Sequence, residues 1–148
     1  MSKSNKEETG NKKRIKSYKD LEVYIMAFAF AVEVHKMTLK LPKFELYEQG
    51  SQIRRSSKSI KDNIVEGYGR RRYKNEFMRF LTYAQASLLE TQTQLDMLDE
   101  LYPDLKADIL RKKYNELGRK LYNFITFVDE KWETESNKGN PSTPLRNQ

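Results

Sequence analysis

The chain has 148 residues, a length typical of one domain, and it carries a formal net charge of +7 with 33% charged and 37% hydrophobic residues. It contains no cysteine, which excludes disulfides, cysteine-ligated zinc and a thiol nucleophile and is compatible with a reducing compartment. Because the polar N-terminus has no apolar core and the longest apolar run is about half of the roughly 20 residues that cross a bilayer, we expect a soluble, cytoplasmic protein with no membrane partner.

Composition divides the chain into three parts. Residues 1–16 are rich in Lys, Ser and Asn and offer little to bury, so they predict a disordered basic arm, which is either a solvated tail or a segment that follows phosphates. Residues 17–135 carry helical periodicity throughout. Residues 136–148 contain Gly, Pro, Ser and Thr and predict a disordered tail.

The first predicted helix spans residues 18–40 and ends before Pro42, because a residue that precedes proline avoids the α region. Its larger apolar residues recur at steps of four and three, which predicts a heptad seam facing the core. The seam consists of Leu21, Ile25, Phe28, Val32, His35 and Leu39, and a second set widens it: Tyr24, Ala27, Ala31 and Val34. The only histidine, His35, has no ligand or base at helical spacing in this segment, so we interpret it as packed at the edge of a bundle.

The second predicted helix spans residues 44–67, with a narrow seam of Ile53, Ser57, Ile60 and Ile64. Three cations, Arg54, Lys58 and Lys61, fall within about 60° of one another on its flank at 100° per residue. Neighbouring serines are small enough for another backbone to approach, and their hydroxyls could serve a phosphate or a carbonyl. We expect Gly67 or Gly69 to end the helix in the left-handed conformation.

Three arginines and a lysine follow these glycines: Arg70, Arg71, Arg72 and Lys74. One arginine would suffice to cap the carbonyl groups at a helix C-terminus. Between Gly50 and Phe80 there are nine basic and three acidic residues, so positive charge is concentrated here. The stripe and the turn together form the predicted nucleic-acid-binding set: Arg54, Lys58, Lys61, Arg70, Arg71, Arg72 and Lys74.

Two further helices are predicted, over residues 75–102 and 104–132. The seam of the third consists of Phe77, Leu81, Ala84, Leu88, Thr91, Leu95 and Leu98. That of the fourth consists of Leu110, Tyr114, Leu117, Leu121, Phe124, Val128 and Trp132. Four amphipathic helices with short connections and no period-two alternation predict an all-α fold, an antiparallel up-down-up-down four-helix bundle with disordered N- and C-terminal tails. Surplus apolar positions outside the seams indicate self-association through a lateral face.

The central stretch resembles the family of proteins encoded in 23S ribosomal RNA intervening sequences. The similar pattern comprises Leu41, Pro42, Glu45 and Tyr47, then Ser51 to Arg55, then Ser59, Ile60, Asn63, Ile64, Glu66, Gly67, Gly69 and Arg70, and finally Glu76, Phe77, Arg79 to Leu81 and Ala84. The resemblance implies a four-helix bundle that assembles into a homo-oligomer, often a pentamer. It also implies kinship with accessory proteins of diversity-generating retroelements, which bind a reverse transcriptase and nucleic acid through basic surfaces.

These observations favour a non-catalytic, homo-oligomeric accessory factor that binds RNA or DNA through a basic surface. The alternative is a protein-interaction scaffold in which Arg54, Arg55 or Arg79 meets acidic residues of a neighbouring subunit. An enzyme is disfavoured, because a ferritin-like site needs two Glu-x-x-His pairs and one histidine cannot supply them. We therefore expect no cofactor, no metal and no catalytic residue.

Overall fold

The structure is a computed structural model, and it describes residues 14–133. Five α-helices occupy most of this range: α1 (Glu22–Thr38), α2 (Lys43–Tyr47), α3 (Gln49–Gly69), α4 (Lys74–Leu101) and α5 (Asp108–Lys131). Within residues 14–133 there is no β-strand, so the all-α prediction is confirmed. None of the helices in that range combines the length and the apolar content needed to cross a membrane. The predicted arm and tail lie outside the described residues, apart from residues 14–16, which have no regular secondary structure.

The four long helices run antiparallel to their neighbours around the bundle. Along the α3–α4 interface Ser59 meets Ser87, and the earlier Ser56 meets the later Gln94. Between α1 and α5 the ion pairs join Glu33 to Lys113 and Glu22 to Lys120, which is again an antiparallel register. The helix α1 packs on α3 and α5, and α4 packs on the same two helices, so α1 and α4 occupy opposite corners.

The core is built from the predicted seams of α3, α4 and α5. Every seam residue of α3 and α4 is buried, and five of the seven in α5 are buried, with Phe124 and Trp132 partly exposed. At one end of the core the ring of Phe77 makes edge-to-face contacts with Tyr68, Phe124 and Trp132, at centroid distances between 5.1 and 6.4 Å. Helical periodicity therefore predicted the buried face of these three helices.

The predicted seam of α1 is wrong apart from Leu21, whereas Ala27, Ala31 and Val34 of the second predicted set are buried. Of its large residues Ile25, Phe28, Val32 and Leu39 are exposed, and His35 is exposed with them. The buried face is instead the set of smaller residues: Val23, Ala27, Ala31, Val34, Met37 and Thr38. Small side chains let α1 approach α3 and α5 closely, and the larger apolar residues consequently form a row on the outer corner of the bundle.

The serines of α3 serve packing and not ligand binding. Ser56 donates to Gln94 Oε1 at 2.9 Å and accepts from Thr91 at 2.9 Å, in a buried polar layer between α3 and α4. Gly67 continues this close approach, since a Cβ there would lie 3.1 Å from Cδ1 of Phe77. The hydroxyls that could have served a phosphate are thus satisfied inside the bundle.

Three predicted helix boundaries are corrected. The second predicted helix is broken at Glu48 (φ −97°, ψ −95°) into α2 and α3, and the buried carboxylate of Glu45 accepts a hydrogen bond from Tyr102 at 2.8 Å across the break. Neither Gly67 nor Gly69 adopts a positive φ, and α3 continues to Gly69. The fourth predicted helix begins at Asp108, after a 3-10 turn that Lys106 ends with a φ of 53°.

Candidate nucleic-acid interface

The turn between α3 and α4 brings together four of the predicted site residues. Arg70, Arg71 and Arg72 follow Gly69, and Lys74 begins α4. Backbone hydrogen bonds fix the turn, from Arg71 N to Tyr68 O at 3.1 Å and from Tyr73 N to Arg70 O at 2.8 Å. All three arginines are exposed, on a hydrogen-bonded turn at one end of the bundle. We call residues 70–74 the arginine turn.

Two of these arginines have partners within the protein. The guanidinium of Arg70 lies 3.9 Å from Glu66 and 3.8 Å from Glu76, and it also covers the ring of Phe80. Arg71 donates to the carbonyl oxygen of Tyr68 at 3.1 Å and stacks over the ring of the same residue. These contacts orient both guanidinium groups, while only that of Arg70 is close to carboxylates.

The charges of Arg72 and Lys74, the other two cations of the arginine turn, are less neutralised by carboxylates than that of Arg70. Within residues 14–133 Arg72 forms no ion pair, and its guanidinium lies 5.9 Å from the centroid of the Tyr73 ring. Lys74 donates to the backbone carbonyl of Asp129 at the end of α5. The guanidinium of Arg72 is therefore the cation of this turn that is both exposed and outside an ion pair within residues 14–133 and outside a hydrogen bond to a backbone carbonyl there, and it can bind a phosphate.

The three residues of the predicted stripe on α3, Arg54, Lys58 and Lys61, do not form one exposed basic surface. Arg54 is partly buried and donates to Thr38 Oγ1 and to the carbonyl oxygen of Leu46, both at 2.9 Å. Its guanidinium also lies against Gly50, where a Cβ would approach Nη1 to 2.8 Å. Arg54 therefore ties α3 to the end of α1 and to α2, and this internal use of its guanidinium favours a structural role over the predicted nucleic-acid contact.

Replacing Arg54 by Ala should destabilise the fold and leave nucleic-acid binding unchanged. The variant lacks two charge-assisted hydrogen bonds and leaves the Leu46 carbonyl without this partner, so we expect the free energy of unfolding to fall by about 2 kcal/mol. Urea denaturation at fixed protein concentration measures this. The matched control is Lys58→Ala, which should change stability by less than about 0.5 kcal/mol. Equal stability of the two variants would contradict the structural role of Arg54.

Lys58 and Lys61 lie between α1 and α3, and Lys61 also lines a second groove, with Tyr18 and Glu66, nearer to the arginine turn. They line a groove of about 350 Å³ between α1 and α3, whose other walls are Phe28, Ala31, Val32, His35 and Lys36. Lys61 also forms an ion pair with Asp62 at 2.6 Å. The expectation that His35 packs at the edge of the bundle is met only in part, because its exposed side chain borders this groove. Sequence reasoning missed this groove, because it placed Phe28 and Val32 in the core.

The N-terminal end of the described chain lies on the same side as the arginine turn. Tyr18 lines a groove with Asp62, Val65 and Glu66 on the last turns of α3. Ser17 and Asp20 form a capping box that fixes the entry of the chain, with Ser17 Oγ accepting from Lys19 N at 3.2 Å. The exposed residues Arg14, Lys16 and Lys19 therefore add cations at this end of the bundle.

Within the described residues no group of three or more His, Asp or Glu side chains could hold a metal ion. The most strongly perturbed titratable group there is Tyr114, which lies in the core: burial raises the pKa of its hydroxyl far above the ordinary value, and the Glu33 carboxylate adds to the shift. Such a phenol stays neutral, and Tyr114 is wholly shielded from solvent, so it has no access to a substrate.

Two acidic residues near the C-terminal end of α4 form ion pairs with a cation of the same chain. Arg111 binds Asp96 at 2.9 Å and Asp99 at 3.1 Å. A cation from α5 thus compensates carboxylates whose charge opposes the dipole at the C-terminus of α4. Because Asp96 and Asp99 have this internal cation, they do not depend on an arginine from a neighbouring subunit.

Comparison with known proteins connects this geometry to a family. The model of the 23S rRNA-intervening sequence protein family matches residues 19–123, which comprise α1 to α4 and most of α5. The chain belongs to the 23S rRNA-intervening sequence protein family. No curated protein sequence matches the chain significantly.

A similar solved structure supports the fold of this family member. It is the crystal structure of a protein of unknown function from the S23 ribosomal protein family of Bacteroides thetaiotaomicron VPI-5482. The two chains are 23% identical with a TM-score of 0.60, and the match covers 70% of this chain and 95% of the other. At that identity the likeness concerns the fold alone.

Proposed function

We propose that this protein is a non-catalytic nucleic-acid-binding accessory factor that acts as a homo-oligomer. The observation that carries the proposal is the arginine turn, where three consecutive arginines are exposed and neither Arg71 nor Arg72 faces a carboxylate within residues 14–133. Arg14, Lys16 and Lys19 are exposed in the segment that enters the bundle at the same end. Guanidinium and ammonium groups contact phosphates, which every nucleic acid presents, so the interaction is electrostatic and poor in sequence discrimination.

The contacts of the other predicted residues support a smaller binding set than the sequence suggested. Arg54 is used within the fold, and Lys58 and Lys61 border the apolar groove on α1. We therefore assign the nucleic-acid contact to Arg70, Arg71, Arg72 and Lys74. Arg71 and Arg72 are the stronger contributors, because Glu66 and Glu76 partly neutralise Arg70.

The test is binding of a fluorescein-labelled 20-nucleotide RNA and its DNA equivalent across a series of salt concentrations. For the wild type, log affinity should fall by about 0.7–0.9 per unit of log salt for each phosphate neutralised. Arg70→Ala/Arg71→Ala/Arg72→Ala should weaken binding by about tenfold or more. The slope should fall by about 1 for each phosphate that the variant no longer neutralises.

The control is Lys40→Ala/Lys43→Ala/Lys112→Ala, which removes the same charge from exposed positions towards the other end of the bundle. If binding depends on the arginine turn, the control retains affinity within about twofold, since only long-range screened charge is altered. An equal loss of affinity in both triple variants would show that net charge alone attracts the nucleic acid. Unchanged binding by the arginine variant would refute the assignment.

We propose that the protein self-associates, because two outer faces of the bundle expose apolar residues. The exposed row on α1 contains Ile25, Phe28, Val32 and Leu39 and is flanked by Lys36 and Lys58. At the opposite corner α4 exposes Leu89, Met97 and Leu101, together with Glu90 and Glu100. We name them the α1 face and the α4 face.

The two faces are both apolar and have opposite charges, so a head-to-tail contact between copies buries apolar surface and pairs charges. Such a heterologous contact closes into a ring when its rotation divides a full turn. The pentamer and the reverse transcriptase partner implied by the family resemblance remain part of the proposal. Light scattering tests the first, since a pentamer has five times the 17.6 kDa mass of one chain. Co-purification with a reverse transcriptase encoded beside the gene tests the second.

The same faces support the alternative function, an interaction scaffold without nucleic acid. Lys58 and Lys61 line the groove at the α1 face, where an acidic and apolar surface of another copy fits them. A protein that assembles through these faces and gives no salt-dependent retention of RNA or DNA would be a scaffold.

A further inference from the structure

We propose that Tyr73 is a base-stacking platform, and that the arginine turn consequently takes single-stranded nucleic acid in preference to duplex. This inference rests on the proposed function, because it assigns the form of nucleic acid that the same turn binds. It adds an aromatic contact to a surface so far described by its charges.

The two tyrosines beside the arginines have opposite environments. Tyr68 is buried, with its ring edge-to-face on Phe77 at 6.4 Å and the guanidinium of Arg71 4.2 Å from its centroid. Tyr73 is 63% exposed, and within residues 14–133 its ring pairs with no other aromatic ring and its hydroxyl donates no hydrogen bond. Tyr68 therefore packs in the core, whereas the ring of Tyr73 lies on the surface.

The backbone of Tyr73 is fixed although its side chain is exposed. Its N–H donates to Arg70 O at 2.8 Å, and its carbonyl accepts from Phe77 N at 3.0 Å as α4 begins. Hydrogen bonds on both sides, at the end of a 28-residue helix, hold the Cα in place. An aromatic ring with two side-chain torsions on a fixed backbone loses little entropy when a ligand covers it.

Cations beside the ring of Tyr73 are placed to contact the phosphate of a nucleotide whose base stacks on that ring. The guanidinium of Arg72 lies 5.9 Å from the ring centroid of Tyr73, and Lys74 follows directly in the chain. A base stacked on the ring would place its own phosphate within reach of these cations. Aromatic rings alternating with cations are the usual means of binding single strands, since every base has a π-face.

Duplex nucleic acid fits this arrangement less well. Its bases are stacked on one another, so a ring on a convex turn reaches only phosphates and sugars. The cations of the turn would still contact a duplex, but Tyr73 would contribute nothing. Unpaired loops, bulges and ends are thus the expected targets.

The experiment compares Tyr73→Ala and Tyr73→Phe with wild type on two probes, a fluorescein-labelled 20-nucleotide oligouridine and a 20-base-pair RNA duplex. Tyr73→Ala should weaken binding to the single strand by about 5- to 100-fold and leave the duplex within about twofold. Tyr73→Phe should retain single-strand binding, since the ring is kept. The salt dependence should be the same in all three proteins, because no charge changes.

Photo-crosslinking tests the contact between Tyr73 and a base independently of affinity. An oligouridine that carries 5-iodouridine should crosslink to Tyr73, located by mass spectrometry of the digested protein. Wild-type levels of single-strand binding by Tyr73→Ala, while Arg72→Ala weakens it, would overturn the stacking role and leave the proposed function standing. Equally weakened binding of both probes would also overturn it. A wild-type protein that binds neither probe would overturn the inference together with the proposed function.

Discussion

Replacement of Phe77 by Ala should lower the free energy of unfolding by about 3–5 kcal/mol, the range found when a buried aromatic residue is truncated. Phe77 is wholly buried and belongs to a cluster with Tyr68, Phe124 and Trp132. Its ring also fills the space against Gly67, where the α3 backbone comes close to α4. The substitution leaves a cavity at the point where three helices meet, and surrounding side chains can collapse into it only in part.

Urea unfolding followed by circular dichroism at fixed protein concentration measures the effect. The control is Tyr122→Ala on α5, whose side chain is exposed and should cost less than about 0.5 kcal/mol. Because Phe77 lies under the arginine turn, the variant should also loosen that turn and weaken nucleic-acid binding. Equal unfolding midpoints for the two variants would contradict the placement of Phe77 in the core.

The substitution Val32→Glu on the α1 face should convert the proposed oligomer into monomers. In the proposed head-to-tail contact the new carboxylate loses hydration and meets Glu90 and Glu100 of the α4 face, so desolvation and like-charge repulsion together cost several kcal/mol in each interface of a ring. Multi-angle light scattering after size exclusion should then report the 17.6 kDa mass of a single chain. Since Val32 is exposed in the bundle, circular dichroism should show unchanged helix content.

Two further variants separate the possible assemblies. Met97→Lys on the α4 face should also dissociate the proposed oligomer, because in a head-to-tail contact the new cation meets Lys36 and Lys58 of the α1 face. If it leaves the mass unchanged while Val32→Glu does not, the contact joins two α1 faces. Tyr122→Glu, an exposed position on α5, is the control and should retain the assembly. A wild-type protein that is monomeric at micromolar concentration would refute self-association.

Much of the fold followed from periodicity. The seams of α3, α4 and α5 were predicted residue by residue, because the apolar residues that recur at steps of three and four mark one long stripe on each helix, and that stripe faces the core. The break at Glu48 was not predicted, since it depends on Glu45 reaching Tyr102 at the far end of α4. A contact over that distance in the chain leaves no local pattern.

The site was predicted in part. Consecutive arginines after a glycine pair placed Arg70 to Lys74 on one turn, and the structure has them there. Arg54 could not be separated from Lys58 in the sequence, because helical spacing gives the direction of a side chain but not the neighbour it meets. In the bundle Arg54 meets the Leu46 carbonyl and Thr38, whereas Lys58 points to the groove beside Phe28.

The sequence by itself determined the helical class, three of the four core faces and the local concentration of positive charge. Only the tertiary structure decided which stripe of α1 is buried. That helix carries two apolar stripes, and burial of either would satisfy the hydrophobic effect, which has no direction of its own. Close approach to α3 and α5 selects Ala27, Ala31 and Val34, so the larger Phe28 and Val32 are left on the outside of the bundle.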